Sequence, residues 1–116
     1  RLEFETRMAA GQSGHILRKL FALPAGNYAV SIPMRVDDHT PGDTAELRLI
    51  CVSQGAQRIV ADQSQDLASE FVFDQRFAVP GNCPFQMLIL MATTAPTTGD
   101  VVLTLESPRL RRVSAS

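Results

Sequence analysis

Aromatic side chains are scarce in this sequence, and charge of one sign is not in excess. There is no tryptophan and one tyrosine, and 11 Lys and Arg stand against 12 Asp and Glu, for a formal net charge of −1 at pH 7. A near-neutral chain has no basic field to recruit nucleic acid or anionic lipid. Its one basic cluster is Arg109, Arg111 and Arg112, a pattern typical of a solvated strand edge that resists edge-to-edge pairing. We expect no nucleic-acid partner.

Long hydrophobic runs are missing as well. No apolar segment approaches the roughly 20 residues that a membrane-spanning helix needs, so we expect no membrane insertion. No charged-then-apolar leader is present within the sequence. The chain starts with Arg1 and has 116 residues, the size of one ordinary domain. We therefore expect residues 1–116 to be a single domain cut from a longer protein.

Residues for catalysis are few. The two histidines are His15 and His39, and Ser13 stands two residues before His15 without the strand–elbow–helix context of a nucleophilic serine. Cys51 ends an inward-facing alternation, so it does not offer an exposed thiolate. Acids distant in sequence can still meet as a catalytic pair, but a chain without tryptophan makes a poor sugar-cleaving cleft. We expect no enzyme, no catalytic residue and no cofactor.

A hydrophobic period of two residues dominates the sequence, and no window has a helical period. The clearest example is an apolar face of alternate residues: Tyr28, Val30, Ile32, Met34 and Val36. The alternating segments are residues 1–8, 15–23, 28–36, 45–52, 57–61, 69–79, 85–92, 100–106 and 109–113. Short strands at about ten-residue spacing predict an all-β fold. The specific prediction is a two-sheet antiparallel β-sandwich of jelly-roll type with about eight strands.

Two local features refine this prediction. Pro33 cannot donate a ladder hydrogen bond, so the strand around it is expected at a sheet edge or with a bulge. The polar segment 62–68 follows the short strand 57–61 and is expected to be a loop.

The two cysteines, Cys51 and Cys83, have two interpretations. They are either small buried hydrophobic residues or one disulfide formed in an oxidising compartment. Cys51 shares an inward face with Leu47 and Leu49, and Cys83 lies in a turn just before a long strand. A core-facing residue and a residue entering a nearby strand can meet, which favours the disulfide. A disulfide would indicate an extracytoplasmic protein.

The strand at 85–92 is apolar on both faces. One face holds Phe85, Met87, Ile89 and Met91. The other holds Leu88, Leu90 and Ala92, together with Gln86. A sandwich strand normally shows one face to water, so the outer face is covered by a loop of this domain or by a partner. The first four residues are the candidate interface, whether with another domain of the parent chain, another protein or a second copy in a homodimer.

The polar loop 37–44 is the best candidate for ligand binding. Its candidate ligand residues are Asp37, Asp38, His39 and Asp43. Oxygens on a turning loop suit Ca²⁺, but the spacing of an EF-hand is absent, and a solvated turn explains the loop equally well. We expect no metal here, while the loop remains a candidate ligand site.

Several segments resemble a known family. The stretch from Lys19 to Val30 resembles the strand, Pro-x-Gly-x-Tyr, strand opening of galactose-binding-like jelly rolls, which carbohydrate-binding modules of β-sandwich type share. Phe77-Ala78-Val79-Pro80 resembles the F-x-V-P strand end of that family, and segments 99–103 and 110–113 resemble its closing strands. Cys51 after LRLI and Cys83 after VPGN resemble disulfide-bridged sandwich domains at the ends of exported bacterial proteins. The resemblance implies a jelly roll with a disulfide, glycan binding and an exported bacterial protein.

These observations lead to two classes of function. The first is a non-catalytic accessory domain of an exported or cell-envelope protein that binds a glycan or a protein. The second is an interaction module that dimerises or packs through an apolar sheet face. The apolar strand 85–92 favours protein contact, and the family resemblance favours a glycan.

Overall fold

The computed structural model describes residues 3–37, 42–53, 56–96 and 100–114, and within these ranges the chain forms nine strands and no helix. The strands are β1 (Glu3–Met8), β2 (Ser13–Phe21), β3 (Gly26–Asp37), β4 (Thr44–Ser53), β5 (Ala56–Asp66), β6 (Glu70–Val79), β7 (Phe85–Thr93), β8 (Val101–Glu106) and β9 (Arg109–Arg112). A helix long and apolar enough to cross a bilayer is not found in the described ranges.

The strands form two antiparallel sheets. One has the order β1-β8-β3-β6, with β9 also paired to β3, and the other has the order β2-β7-β4-β5. From β1 to β8 each strand lies in the opposite sheet from the one before it, except for β5, which pairs with β4. Strands β8 and β9 lie end to end beside β3 and occupy one strand position in their sheet. Each sheet therefore has four strand positions, as in an eight-stranded jelly roll. The predicted all-β, jelly-roll sandwich is confirmed.

The core lies between the sheets and follows the predicted alternation. The five alternate apolar residues of β3 are all buried, and Leu88 and Leu90 of β7 face them from the other sheet. The Tyr28 and Phe77 rings stack with centroids 5.8 Å apart. Each fully buried aliphatic or aromatic side chain contributes about 1.5–3 kcal/mol relative to exposure, so this double layer accounts for most of the favourable free energy of folding.

The prediction that the strand around Pro33 lies at a sheet edge or carries a bulge is wrong, because β3 pairs with β6 through Pro33 without a register shift. Strand β3 is central, with β6 on one side and both β8 and β9 on the other. On that second side β8 pairs with Met34–Asp37 and β9 with Tyr28–Ser31, so neither strand pairs with Pro33. The irregularity lies in the partner strand, which is interrupted at Ser107–Pro108. Both prolines therefore lie at the same gap in the ladder.

The prediction of a loop at 62–68 is also wrong, because β5 continues to Asp66. This strand pairs with β4 along its whole length, with a bulge near Ile59. Its positions beyond Ala61 on the inner side are Gln63 and Gln65, which lie half-buried at the margin of the sandwich. Polar residues are suitable there because β5 is an edge strand.

A disulfide joins Cys51 of β4 to Cys83 in the β6–β7 connection, with their Cα atoms 5.5 Å apart. This confirms the disulfide interpretation over two free thiols. Both cysteines are buried, and the bridge lies beside the fully buried side chain of Gln86.

Gln86 is the polar residue that closes this end of the core. Its Oε1 accepts a hydrogen bond from Leu23 N at 2.8 Å, and its Nε2 donates to Cys83 O at 2.9 Å and to Leu23 O at 3.3 Å. One side chain thus hydrogen-bonds backbone groups of two connections, which satisfies these polar groups at the end of the core.

Candidate functional site

The outer face of the sheet β2-β7-β4-β5, called here the outer face, carries the residues that the sequence analysis proposed as an interface. Residues paired across antiparallel strands lie on the same side of a sheet, so the strand register divides this face into rows. The apolar row is Leu20, Met87, Ile50 and Ile59. The charged row is Arg18, Ile89, Arg48 and Asp62. The polar row is His15, Met91, Glu46 and Ser64.

The apolar row is exposed at both ends. Leu20 on edge strand β2 is 59% exposed and Ile59 on edge strand β5 is 53% exposed, whereas Ile50 at the centre is buried. Phe85, next along β7, is 48% exposed and pairs with Val52. Of the five large hydrophobic side chains exposed in the described ranges, these three lie on one face. Such clustering is typical of a contact surface, whereas single exposed apolar residues are not.

The predicted interface residues lie together on this face but differ in exposure. Phe85 is exposed, Met87 and Met91 are half-buried, and Ile89 is 8% exposed. Ile89 lies between Arg18 and Arg48 in the charged row, so long side chains of the same domain cover it. Part of the coverage expected from a loop or partner therefore comes from arginines of neighbouring strands. Leu20 and Ile59 were not predicted from the sequence. For Leu20 the sequence did contain an indication, because it alternates with Arg18 and so lies on the same outward side of β2.

A cluster of three charges occupies the β4–β5 side of the face. Arg48 Nη2 contacts Glu46 Oε2 at 2.8 Å, and Arg48 Nε lies 3.6 Å from Asp62 Oδ2. Hydrogen bonding to Glu46, with partial burial, raises the pKa of Asp62 above its ordinary value. Hydrogen bonding to Asp62 and Arg48 lowers the pKa of Glu46. One arginine thus serves two carboxyl groups, and their pKa values are shifted in opposite directions.

Arg18 lies at the opposite edge of the charged row. Its Nη2 approaches the Met87 sulfur at 3.4 Å. No carboxylate of the described ranges forms an ion pair with it. The charged row therefore has a cation at the β2 edge and an anion at the β5 edge.

A cavity of about 290 Å³ lies at the polar end of the outer face. Its polar lining comes from Ser13, His15, Thr44, Glu46, Ser64 and Thr93, and its floor includes Met91. The Ser13 and Thr93 hydroxyls are hydrogen-bonded at 3.1 Å. These groups are donors and acceptors suited to a small polar ligand.

The candidate ligand loop is only partly described, since Asp38 and His39 lie outside the described residues. Asp37 is exposed at the end of β3. Asp43 is buried, and its Oδ1 accepts a hydrogen bond from Ala95 N at 2.7 Å. That oxygen serves to hold the β7–β8 connection. The described residues contain no group of three or more His, Cys, Asp or Glu side chains placed to bind a metal ion.

Thr94 is a second buried polar anchor at this end, and sequence analysis did not single it out. Its Oγ1 donates to Ala9 O at 2.7 Å and accepts from Gln12 N at 2.8 Å. The hydroxyl thereby ties the β1–β2 turn to the end of β7 and fixes the border of the polar cavity.

Comparison of the chain with protein-family models, curated proteins and solved structures finds no match. What the structure supports of the resemblance to galactose-binding-like domains is the two-sheet antiparallel sandwich.

Proposed function

We propose that this chain is a non-catalytic binding domain of an exported or cell-envelope protein, and that it contacts a protein partner through the outer face. The observation that carries this proposal is the clustering of Leu20, Ile59 and Phe85, each about half exposed, on one face of one sheet. Burying apolar surface is worth about 25 cal/mol per Å², so such a row is a source of binding free energy.

The arrangement of the face supports protein contact further. Protein interfaces combine an apolar centre with a polar surround that sets orientation and excludes wrong partners. Here the apolar row borders the charged row with Arg18 and Asp62, and the polar row lies beyond it. The opposite sheet has exposed charged side chains at all four of its strand positions, such as Glu5, Arg35, Asp74 and Arg111.

The export part of the proposal is supported by the Cys51–Cys83 disulfide. Disulfides form and persist in oxidising compartments and are rare where thiols are kept reduced.

Site-specific photo-crosslinking in cells that produce the native protein tests the contact surface. A photoreactive phenylalanine analogue replaces Leu20 or Ile59 in the protein, and Val72 serves as the matched control because it is 54% exposed on the other sheet. We expect a crosslinked product, whether to another protein, a second copy or the parent chain, at Leu20 and Ile59 and not at Val72. No product at the first two positions, or equal products at all three, would refute the proposal.

A small glycan bound in the polar cavity is the second candidate function. The observation that favours it is the lining of hydroxyl groups and the Glu46 carboxylate, which can hydrogen-bond to sugar hydroxyls, above the apolar floor of Met91. Titration with a glycan panel tests it. Binding is expected to be lost in Ser64→Ala and retained in Leu20→Glu, and the absence of binding to any glycan of the panel would reject this candidate.

A further inference from the structure

We propose that the protein partner is a second copy of this chain, packed face to face through the outer face. The two-fold axis runs parallel to the strands, midway between β7 and β4. This inference rests on the proposed function and identifies the partner of the same surface. It comes from the order of residues within the rows.

The symmetry fixes which strands meet. A two-fold axis along the strands at the centre of the sheet leaves positions along the strands unchanged, so each row faces the same row of the partner subunit. It reverses positions across the strands, so the strand order of the partner subunit is inverted. Strand β2 then lies over β5 of the partner subunit, and β7 lies over β4 of the partner subunit. Each row is therefore packed on a reversed copy of itself, as an isologous interface requires.

The apolar row is complementary to its own reversed copy. Leu20 meets Ile59 of the partner subunit, and Met87 meets Ile50 of the partner subunit. The two most exposed side chains of the row thus cover each other at both edges.

The charged row is complementary in the same way. Arg18, which has no ion pair with the described residues of its own chain, meets Asp62 of the partner subunit, and symmetry repeats the pair. At the centre Arg48 of the partner subunit lies over Ile89, which the arginines of its own chain already cover.

Three other placements of the axis are unfavourable. Moved onto β7, the axis would set Arg18 against Arg48 of the partner subunit; moved onto β4, it would set Arg48 against its own copy. An axis across the strands at the charged row would put each arginine on its own copy. Like charges placed together across an interface cost free energy, so the central axis along the strands is favoured over these three placements.

The size of the face is that of a small interface. Four strands spaced about 4.8 Å apart and nine residues long at about 3.3 Å each give a footprint of about 570 Å² per subunit. The total of about 1,100 Å² lies at the low end of specific interfaces. We expect a dimer that dissociates in the micromolar range.

The experiment is sedimentation velocity of the full chain over a concentration series, with charge reversals at the proposed pair. Arg18→Glu sets two acids opposite each other, and Asp62→Lys sets two bases, so each variant is expected to dissociate at least tenfold more readily than the native chain. Mixing the two variants creates attractive pairs at both sites, so the mixture is expected to recover dimerisation to within about threefold of native. Arg76→Glu and Asp74→Lys, on the other sheet, are the matched controls and are expected to leave it unchanged.

Each outcome decides the proposal. A native chain that remains monomeric up to millimolar concentration, or a mixture no more associated than the separate variants, overturns the dimer. If Asp62→Lys fails to fold, Leu20→Glu replaces it. The Leu20 side chain is mostly exposed, so this variant is expected to fold and to lose dimerisation. A monomeric chain whose Leu20 and Ile59 crosslink to a different protein or to the parent chain overturns the dimer but retains the proposed function.

Discussion

Removing the Cys51–Cys83 disulfide is expected to destabilise this domain by several kcal/mol. The bridge connects residues 32 positions apart, and the loop it closes contains all of β5 and β6. In the chain-entropy model, a loop of that size restricts the unfolded state by about 3.7 kcal/mol at 25 °C. The double variant Cys51→Ala/Cys83→Ala is therefore expected to lose about that much free energy of unfolding.

The corresponding shift in Tm follows from the size of the chain. An unfolding entropy of about 2.1 cal/mol/K per residue gives about 0.24 kcal/mol/K for this domain. The expected decrease in Tm is thus about 15 °C, measured by circular dichroism. Intact mass before and after reduction establishes the starting state, with a gain of about two mass units for one bridge.

Reductant supplies the control. It is expected to lower the Tm of the native chain by a similar amount and to leave the double variant unchanged. A decrease of less than about 4 °C, equivalent to about 1 kcal/mol, would refute the reasoning, because the loop between the cysteines would then be constrained in the unfolded state without the bridge.

Three further predictions concern polar side chains. Gln86→Leu removes the hydrogen bonds to a buried carbonyl of Cys83 and to partly buried backbone groups of Leu23, so urea denaturation is expected to show a loss of about 3 kcal/mol. Thr94→Val removes two hydrogen bonds at nearly constant volume and is expected to cost about 2 kcal/mol, with Thr93→Val, an exposed neighbour, as control. The proposed dimer needs charged Asp62, and hydrogen bonding to Glu46 raises the pKa of Asp62 despite the opposing charge of Arg48. As pH falls through the range just above an ordinary aspartate pKa, dimer association measured by sedimentation is therefore expected to weaken. The Asp62→Asn variant is expected to associate weakly at every pH. If association of the native chain depended on pH in the same way as that of Asp62→Asn, this reasoning would be contradicted.

The fold was predictable from the sequence because the core strands carry their pattern locally. The alternation from Tyr28 to Val36 predicts the buried side of β3, and the structure buries all five residues. The Cys51–Cys83 disulfide was favoured for the same reason, since periodicity placed Cys51 on the inner side of β4.

The errors arose where pairing overrides local pattern. The continuation of β5 through Asp62–Asp66 depends on β4 as its neighbour, and polar residues at a sheet margin look like a loop in sequence. Pro33 is accommodated in a central strand because the neighbouring strands β8 and β9 leave a gap beside it. That gap, at Ser107–Pro108, is about 75 residues away in sequence, so no local window contains it.

The candidate site was predictable only in part. Periodicity placed Phe85, Met87, Ile89 and Met91 on one face, but exposure is decided by neighbouring strands. Sequence alone cannot say that two arginines flank Ile89.

The pairing of β1 with β8 has a consequence for the order of folding. Residues of β1, such as Glu3, pair in register with residues of β8, such as Glu106. Among the described residues, β1 therefore has no sheet neighbour until β8 has been synthesised. The segments holding both cysteines emerge before β8, so oxidation can precede closure of the first sheet. A nascent chain stalled before residue 101 is thus expected to be able to form its disulfide while β1 remains unpaired.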